Sequence, residues 1–391
     1  MRIGIVTYWE ASDNYGQLLQ CYALQRYLRL QGHDAFLIRY TFKKHLIFRI
    51  KTILLPLVCI ISFFVSKEKY QKYKFLCRER KSKKHNSVLN RQRQFELFRQ
   101  TYLSVSDKIY YSLSALRRNP PAADIYICGS DQVWSTFILK KYGAPYFLNF
   151  GNEATKRIAY AVSAGGRRLS QQEKDRVSRF LTRFTAISVR DSATKNLCCD
   201  CGRQDAVITV DPTLLLPVSE YQNLLSKDCH YKAPYIFIYA LNVFSGDELH
   251  WEEMAPYVKN HRLEVRIVYG SGYCSARELL PQYCGMQATI PEWLSLVTYA
   301  TAMVTTSFHG VIFAIKMNKP FLVILLEGKF SYGNIRIISL LQDLGLQDRI
   351  YSAERPFHEQ MENNIDWLTV NARLKTIVQK SLFFLNNAIS S

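Results

Sequence analysis

No G-x-G-x-x-G follows the first apolar stretch of this 391-residue chain, which disfavours NAD or FAD as a bound dinucleotide. None of the ten cysteines belongs to a zinc-type set. The one cluster, Cys198, Cys199 and Cys201, has neither a second C-x-x-C nor a suitably spaced His pair, so buried or idle thiols are expected and no metal. There is no helix-turn-helix, zinc-finger or RRM signature, which leaves a nucleic-acid-binding role without support. No fixed-period repeat or low-complexity segment breaks the chain. The apolar run "TILLPLVCIISFFV", residues 52–65, stops short of the ~20 residues a bilayer span requires. No signal peptide is expected, because "MRIGIVTYW" reads directly as a strand. A cytosolic protein with reduced thiols is the expectation.

What is present is a globular composition, with 48% hydrophobic and 21% charged residues and enough length for two domains. The formal charge of +19 points to an anionic partner such as nucleic acid, a membrane surface or a phosphorylated small molecule. From Arg39 to Arg99 there are 17 Lys and Arg against Glu68, Glu79 and Glu96, so a net of +14 sits in about a sixth of the chain. The apolar run lies inside this basic stretch, and together they read as an insert over about residues 43–100. Its pattern matches an interfacial segment on anionic headgroups, with a buried helix beside a solvated basic one as the alternative.

Around the insert the chain alternates strand and helix. "RIGIVTY" is a short apolar strand, and "LLQCYALQRYLRLQGH" carries Leu18, Cys21, Tyr22, Leu24, Leu28 and Leu30 at helical spacing. "DAFLIRY" completes a βαβ opening. "ADIYICGSDQVW", "RIAYAVSAGG", "RFTAISVRDSATKNLC" and "AVITVDPTLLL" continue the rhythm, and "PVSEYQNLLSKD" reads as a connection to a second domain of the same kind. The expected architecture is α/β: two Rossmann-like domains, 1–218 and 219–391, facing across a cleft.

Four loops fall at the carboxyl ends of these strands, where open α/β sheets bind ligands: Asp13-Asn14-Tyr15-Gly16, Gly129-Ser130-Asp131-Gln132, Arg190-Asp191 and Ser307-Phe308-His309-Gly310. Each precedes a helix N-terminus with free N–H groups suited to an anion. Singly, each has a plainer reading. "GSD" is also an N-cap, Arg190 with Asp191 also an ion pair, and a lone His309 also a hydrogen-bonded core histidine.

In combination, "DNYGQLLQCYALQRYL", "DIYICGSDQVW", "AYAVSAG", "ISVRD", "VDPTLLL", "TTSFHGVIFAIKMNKPF" and "NIRIISLLQDLGL" resemble the polysaccharide pyruvyl transferase family over nearly the whole chain. The resemblance implies a GT-B-like fold. It also implies an enzyme that uses phosphoenolpyruvate as co-substrate, without a cofactor, to set a pyruvyl ketal across two sugar hydroxyls and release phosphate. His309 stands at the family's catalytic histidine, a residue type suited to protonating the enol CH2 and deprotonating a hydroxyl. Arg190 matches the donor-binding arginine, with Ser307, Gly310 and Arg336 expected beside it. Asn14, Tyr15, Gly16, Gln17, Gly129, Ser130, Asp131 and Gln132 are expected as acceptor or cleft loops. The chain departs from relatives that carry an arginine two residues before the histidine, here Ser307, so Arg336, Lys316 or Lys329 is expected to replace that contact. The expected acceptor is a sugar on a lipid diphosphate or a nucleotide, met by an enzyme peripheral on the cytoplasmic face of the membrane. The alternative is a GT-B-type glycosyltransferase using a nucleotide sugar.

Overall fold

A computed structural model describes residues 1–41, 57–63, 66, 70, 73, 77, 91–135, 143–165, 169–227, 231, 233–243, 245–270, 279–283 and 285–391. The first sheet holds β1 (Arg2–Val6), β2 (Asp34–Tyr40), β3 (Val105–Tyr110), β4 (Ile125–Cys128), β5 (Lys156–Val162), β6 (Ala186–Val189) and β7 (Val207–Ile208). Its order is β3-β2-β1-β4-β5-β6-β7, every pair parallel. The second holds β8 (Tyr235–Ala240), β9 (Glu264–Tyr269), β10 (Gly285–Met286), β11 (Ala302–Thr305) and β12 (Phe321–Val323), in the order β10-β9-β8-β11-β12 and again all parallel. "IYIC" and "YIFIYA" are buried at every position. That is how a parallel strand covered by helices on both faces must read.

Both sheets reverse their strand order once, between β1 and β4 in the first and between β8 and β11 in the second. A ligand crevice opens at such a switch point. The helices that leave the switch points are α1 (Tyr15–Leu30) and α6 (Phe308–Lys316); between them in the chain come α2 (Phe95–Tyr102), α3 (Ser192–Asp200), α4 (Pro212–Leu215) and α5 (Ile290–Tyr299). After them come α7 (Asn334–Leu344) and α8 (Trp367–Ser390). In α1 the expected apolar face is buried except Leu30, which is exposed where the helix ends.

β1–β7 lie within residues 2–208 and β8–β12 within 235–323, and α8, the last helix, packs back on the first sheet's domain. Tyr27 donates to Asn386 Oδ1 at 2.8 Å, Val210 N to Ser381 Oγ at 3.0 Å and Lys156 Nζ to Ile389 O at 3.1 Å. Tyr15 is another tie between the domains. Its ring stacks on Trp293 at 5.4 Å, and its hydroxyl donates to Ala288 O at 2.5 Å. Arg93 closes the joint from the end of the basic stretch, donating to Asp13 O, Tyr269 O and Gln287 Oε1.

Most of the expected insert lies outside the described residues. Residues 57–63 are helical, with Leu57, Ile60, Ile61 and Phe63 exposed. Arg93 corrects one expectation for this stretch. It is buried between the domains, because a guanidinium can satisfy three carbonyl-type acceptors there, and so is no part of a membrane-facing surface. Among the described residues no helix is long and apolar enough to cross a membrane.

Candidate active site

The two switch points face one another across a cavity of ≈ 880 Å³. Asn14 reaches it from the loop after β1 and Gln17 from the first turn of α1, and Asp131 and Gln132 come from the loop after β4. Ser307, Phe308 and His309 come from the loop after β11 and the first turn of α6, and Arg336 from α7. Phe308 and Arg336 also border a smaller cavity of ≈ 250 Å³, whose other walls include Arg190, Asp211 and Lys380.

At the junction a buried ionic network links five side chains. Arg190 Nη2 donates to Asp131 Oδ1 at 3.0 Å and Arg190 Nη1 to Asp211 Oδ2 at 2.6 Å. Arg336 Nη1 lies 3.7 Å from Asp131 Oδ1, and His309 Nε2 lies 3.4 Å from Asp211 Oδ2. Both guanidiniums stack on Phe308, at 5.0 and 5.2 Å from its ring centre. Burial alone would raise the Asp211 carboxyl, but His309, Arg190 and Thr213 outweigh it and hold it well below the usual carboxylate range. The same contest lowers Asp131, where Arg190, Arg336, His309 and Gln17 oppose burial. Burial, and then the neighbouring Arg190, pulls Arg336 down to about 10, which leaves it charged at neutral pH.

Asp131 sits at φ 83, a left-handed conformation that costs a non-glycine residue strain. The backbone thereby aims its carboxylate at both arginines while Gln17 Nε2 donates to Oδ2 at 3.2 Å. Gly16 packs directly on the catalytic candidate. A Cβ there would stand 2.2 Å from His309 Nδ1, so only glycine lets α1 and α6 approach this closely.

The structure separates the expected residues into those facing the cavity and those supporting it. Asn14, Gln17, Asp131, Gln132, Ser307, His309 and Arg336 line it. Tyr15 does not, being wholly buried in the interdomain joint, and Gly16 lies beneath His309. Gly129 and Ser130 form the buried turn under Asp131: Gly129 takes φ 126, and Ser130 Oγ donates to Ala161 O at 2.7 Å. Ser307 caps α6, accepting the Gly310 N–H at 3.4 Å, so that N–H is spent inside the turn and Gly310 does not border the cavity.

Arg190 borders the smaller cavity and not the larger one, and its guanidinium does not pair with Asp191, the ion pair that was the plainer reading. Asp191 instead caps α3, accepting from Thr194 N and Oγ1 and from Ser163 Oγ, while Arg190 is held by Asp131 and Asp211. Of the three cations considered in place of the missing arginine, Arg336 is in the cleft. Lys316 is turned into the core, donating to Leu216 O at 2.5 Å, where burial pushes it down to about 8. The side chain of Lys329 lies outside the described residues. Asp211 is the functional candidate that sequence reasoning missed. "VDPTLLL" enters the sequence reading only as part of the strand–helix rhythm and of the family resemblance, and nothing local marks its aspartate as the neighbour of a histidine about a hundred positions on. Among the described residues no cluster of His, Cys, Asp and Glu is arranged to hold a metal.

Two parallel Rossmann-type sheets meeting at a cleft, with a histidine, two arginines and two carboxylates converging at its base, define a two-domain α/β protein. The model of the family described as polysaccharide pyruvyl transferase matches residues 14–327, and the chain belongs to that family, a family of transferases. No curated protein matches the chain. Among solved structures, a UDP-N-acetylglucosamine 2-epimerase from Rickettsia bellii is similar at 9% identity, with TM-score 0.47, covering 99% of this chain and 96% of that one. The calicheamicin glycosyltransferase CalG4 has 13% identity and TM-score 0.45, covering 100% and 96%. A UDP-GlcNAc 2-epimerase from Neisseria meningitidis bound to UDP-GlcNAc has 11% identity and TM-score 0.43, covering 98% and 100%.

Proposed function

We propose that this transferase moves the enolpyruvyl unit of phosphoenolpyruvate onto a sugar as a ketal in cell-surface polysaccharide synthesis. One observation carries the reading: His309 and Arg336 border the same cavity, one able to exchange protons and the other with guanidinium donors left for an anion. In the reaction His309 gives a proton to the CH2 carbon, a sugar hydroxyl adds to C2, and the histidine then takes the hydroxyl proton. Phosphate leaves with the C2–O bond electrons, and a second hydroxyl adds to C2 to close the ketal as its proton passes to the departing phosphate. Arg336 binds the donor's phosphate or carboxylate in the place of the arginine that Ser307 displaces. Asn14, Gln17 and Gln132 offer the neutral hydrogen-bonding surface a sugar requires.

The acceptor in this reading is lipid-linked. Its support is the exposed apolar face of residues 57–63, set in a stretch whose sequence is strongly basic. The decisive experiment incubates the full chain with phosphoenolpyruvate and membrane-extracted glycolipids, presented on anionic vesicles. A product heavier by pyruvate minus water is expected, together with co-flotation of protein and vesicles at low salt. His309→Ala should stay folded and lose about 10²- to 10⁴-fold in phosphate release. Sugar transfer from a nucleotide sugar, with none from phosphoenolpyruvate, would establish the glycosyltransferase alternative instead.

A further inference from the structure

We infer that Asp211 is the positioning residue of His309, holding the Nε2 edge of the imidazole so that Nδ1 is the nitrogen that exchanges protons with substrate. The inference rests on the reading of His309 as the acid/base. It starts from the asymmetry of the ring. Nε2 is buried and makes no hydrogen bond of good geometry, and the Asp211 carboxylate stands 3.4 Å from it. His309 nevertheless borders the larger cavity, so the ring meets that space from its other side. Gly16 packs against Cγ and Nδ1, where a side chain would collide with the ring. Nδ1, unlike Nε2, is not among the buried side-chain atoms left without a partner.

Asp211 is built to hold still. Its Oδ1 accepts from Thr213 N at 3.0 Å and from Thr213 Oγ1 at 2.7 Å, and Oδ2 accepts from Arg190 Nη1 at 2.6 Å. A carboxylate fixed at four points, counting His309, orients a ring better than a mobile one. It favours the Nε2–H tautomer because its oxygen can only accept. The other charged groups around the ring come from every neighbouring element: Asp131 after β4, Arg190 at the end of β6 and Arg336 on α7. From α1 the residue against the ring is the uncharged Gly16. Two guanidiniums and two carboxylates balance, so the carboxylate in ion-pair range decides the preference, and that is Asp211.

Nitrogen-15 NMR of histidine-labelled full-length protein tests the inference without altering Asp211, with the His309 signals assigned through His309→Gln. Neutral His309 is expected to carry its proton on Nε2; a proton on Nδ1 with a free Nε2 lone pair overturns the inference. Kinetics supply the second readout. Asp211→Asn should lower kcat for phosphate release about 100-fold. It should also move the imidazolium-dependent limb of the pH profile downward, because the anion favouring the cation is gone, while KM for phosphoenolpyruvate changes little. An unchanged kcat and pH profile in folded Asp211→Asn overturns the inference and leaves Asp211 as a support of Arg190 alone. If Asp211→Asn does not fold, the NMR result on the parent protein decides. If the parent releases no phosphate from phosphoenolpyruvate, the proposed reaction fails while the NMR still judges the pairing.

Discussion

Arg190 and Arg336 reach the same carboxylate, Asp131, and stack on the same ring, Phe308, yet they differ in what they have left to give. Arg190 comes from the end of a buried strand and is paired at 3.0 and 2.6 Å with two carboxylates. Arg336 comes from a helix on the cleft, touches Asp131 only at 3.7 Å, and borders both cavities. A guanidinium whose charge is already matched acts as a strut. One that is desolvated and incompletely matched is ready for an anionic ligand, and that difference outweighs the resemblance of their positions.

Removing the strut should have the largest effect. Arg190→Ala leaves Asp131 and Asp211 buried without their partner, so about 3–5 kcal/mol of stability should be lost. Urea unfolding followed by circular dichroism measures this, and a variant as stable as the parent would cancel the distinction between the two arginines.

Arg336→Ala should act on ligand and spare the fold. Losing a charge-assisted hydrogen bond of about 1.5–3 kcal/mol raises KM for phosphoenolpyruvate roughly 10- to 100-fold. Steady-state phosphate release checks it. A large loss of stability with an unchanged KM would exchange the roles assigned to Arg190 and Arg336.

Acid gives the smallest effect at working pH and the sharpest view of the pairing. The folded carboxyls of Asp131 and Asp211 lie below their unfolded values, so the folded state binds fewer protons in acid. Their contribution is complete above the unfolded value of about 3.9 and is lost as pH falls through the folded values. Unfolding free energy measured from pH 6 downward should decline below about pH 4, and less steeply in Arg190→Ala, whose carboxyls lose their main cation. Equal slopes would mean that the network does not depress these groups.

Much of this was legible along the chain. Three of the four loops lead from a strand into a helix cap as expected, because apolar runs ending in Gly, Ser, Asn and Asp are local signals for a strand, a turn and a cap; the fourth, 129–132, leads instead into a turn with a single bridge from Asp131 to Val162. Asn14, Ser307 and Asp191 do cap their helices. Tyr15 and Gly16 were harder, because a motif shows that residues travel together without showing which way each faces. Tyr15 is turned into the joint by the aromatic surface of Trp293 and Tyr239, which lies in the other domain.

The sequence by itself determined the alternation of strands and helices, the two-domain α/β plan and the family, since periodicity, turn chemistry and motif order are properties of neighbouring residues. The tertiary structure alone decided that Arg190 pairs with Asp131 and Asp211 in place of Asp191, that Arg336 and not Lys316 enters the cleft, and that Asp211 stands behind His309. The physical reason is distance. Pairing energies and pKa shifts depend on a few ångströms between side chains, and four strand ends and one helix, separated by long stretches of chain, are brought within that range only when both sheets fold and dock.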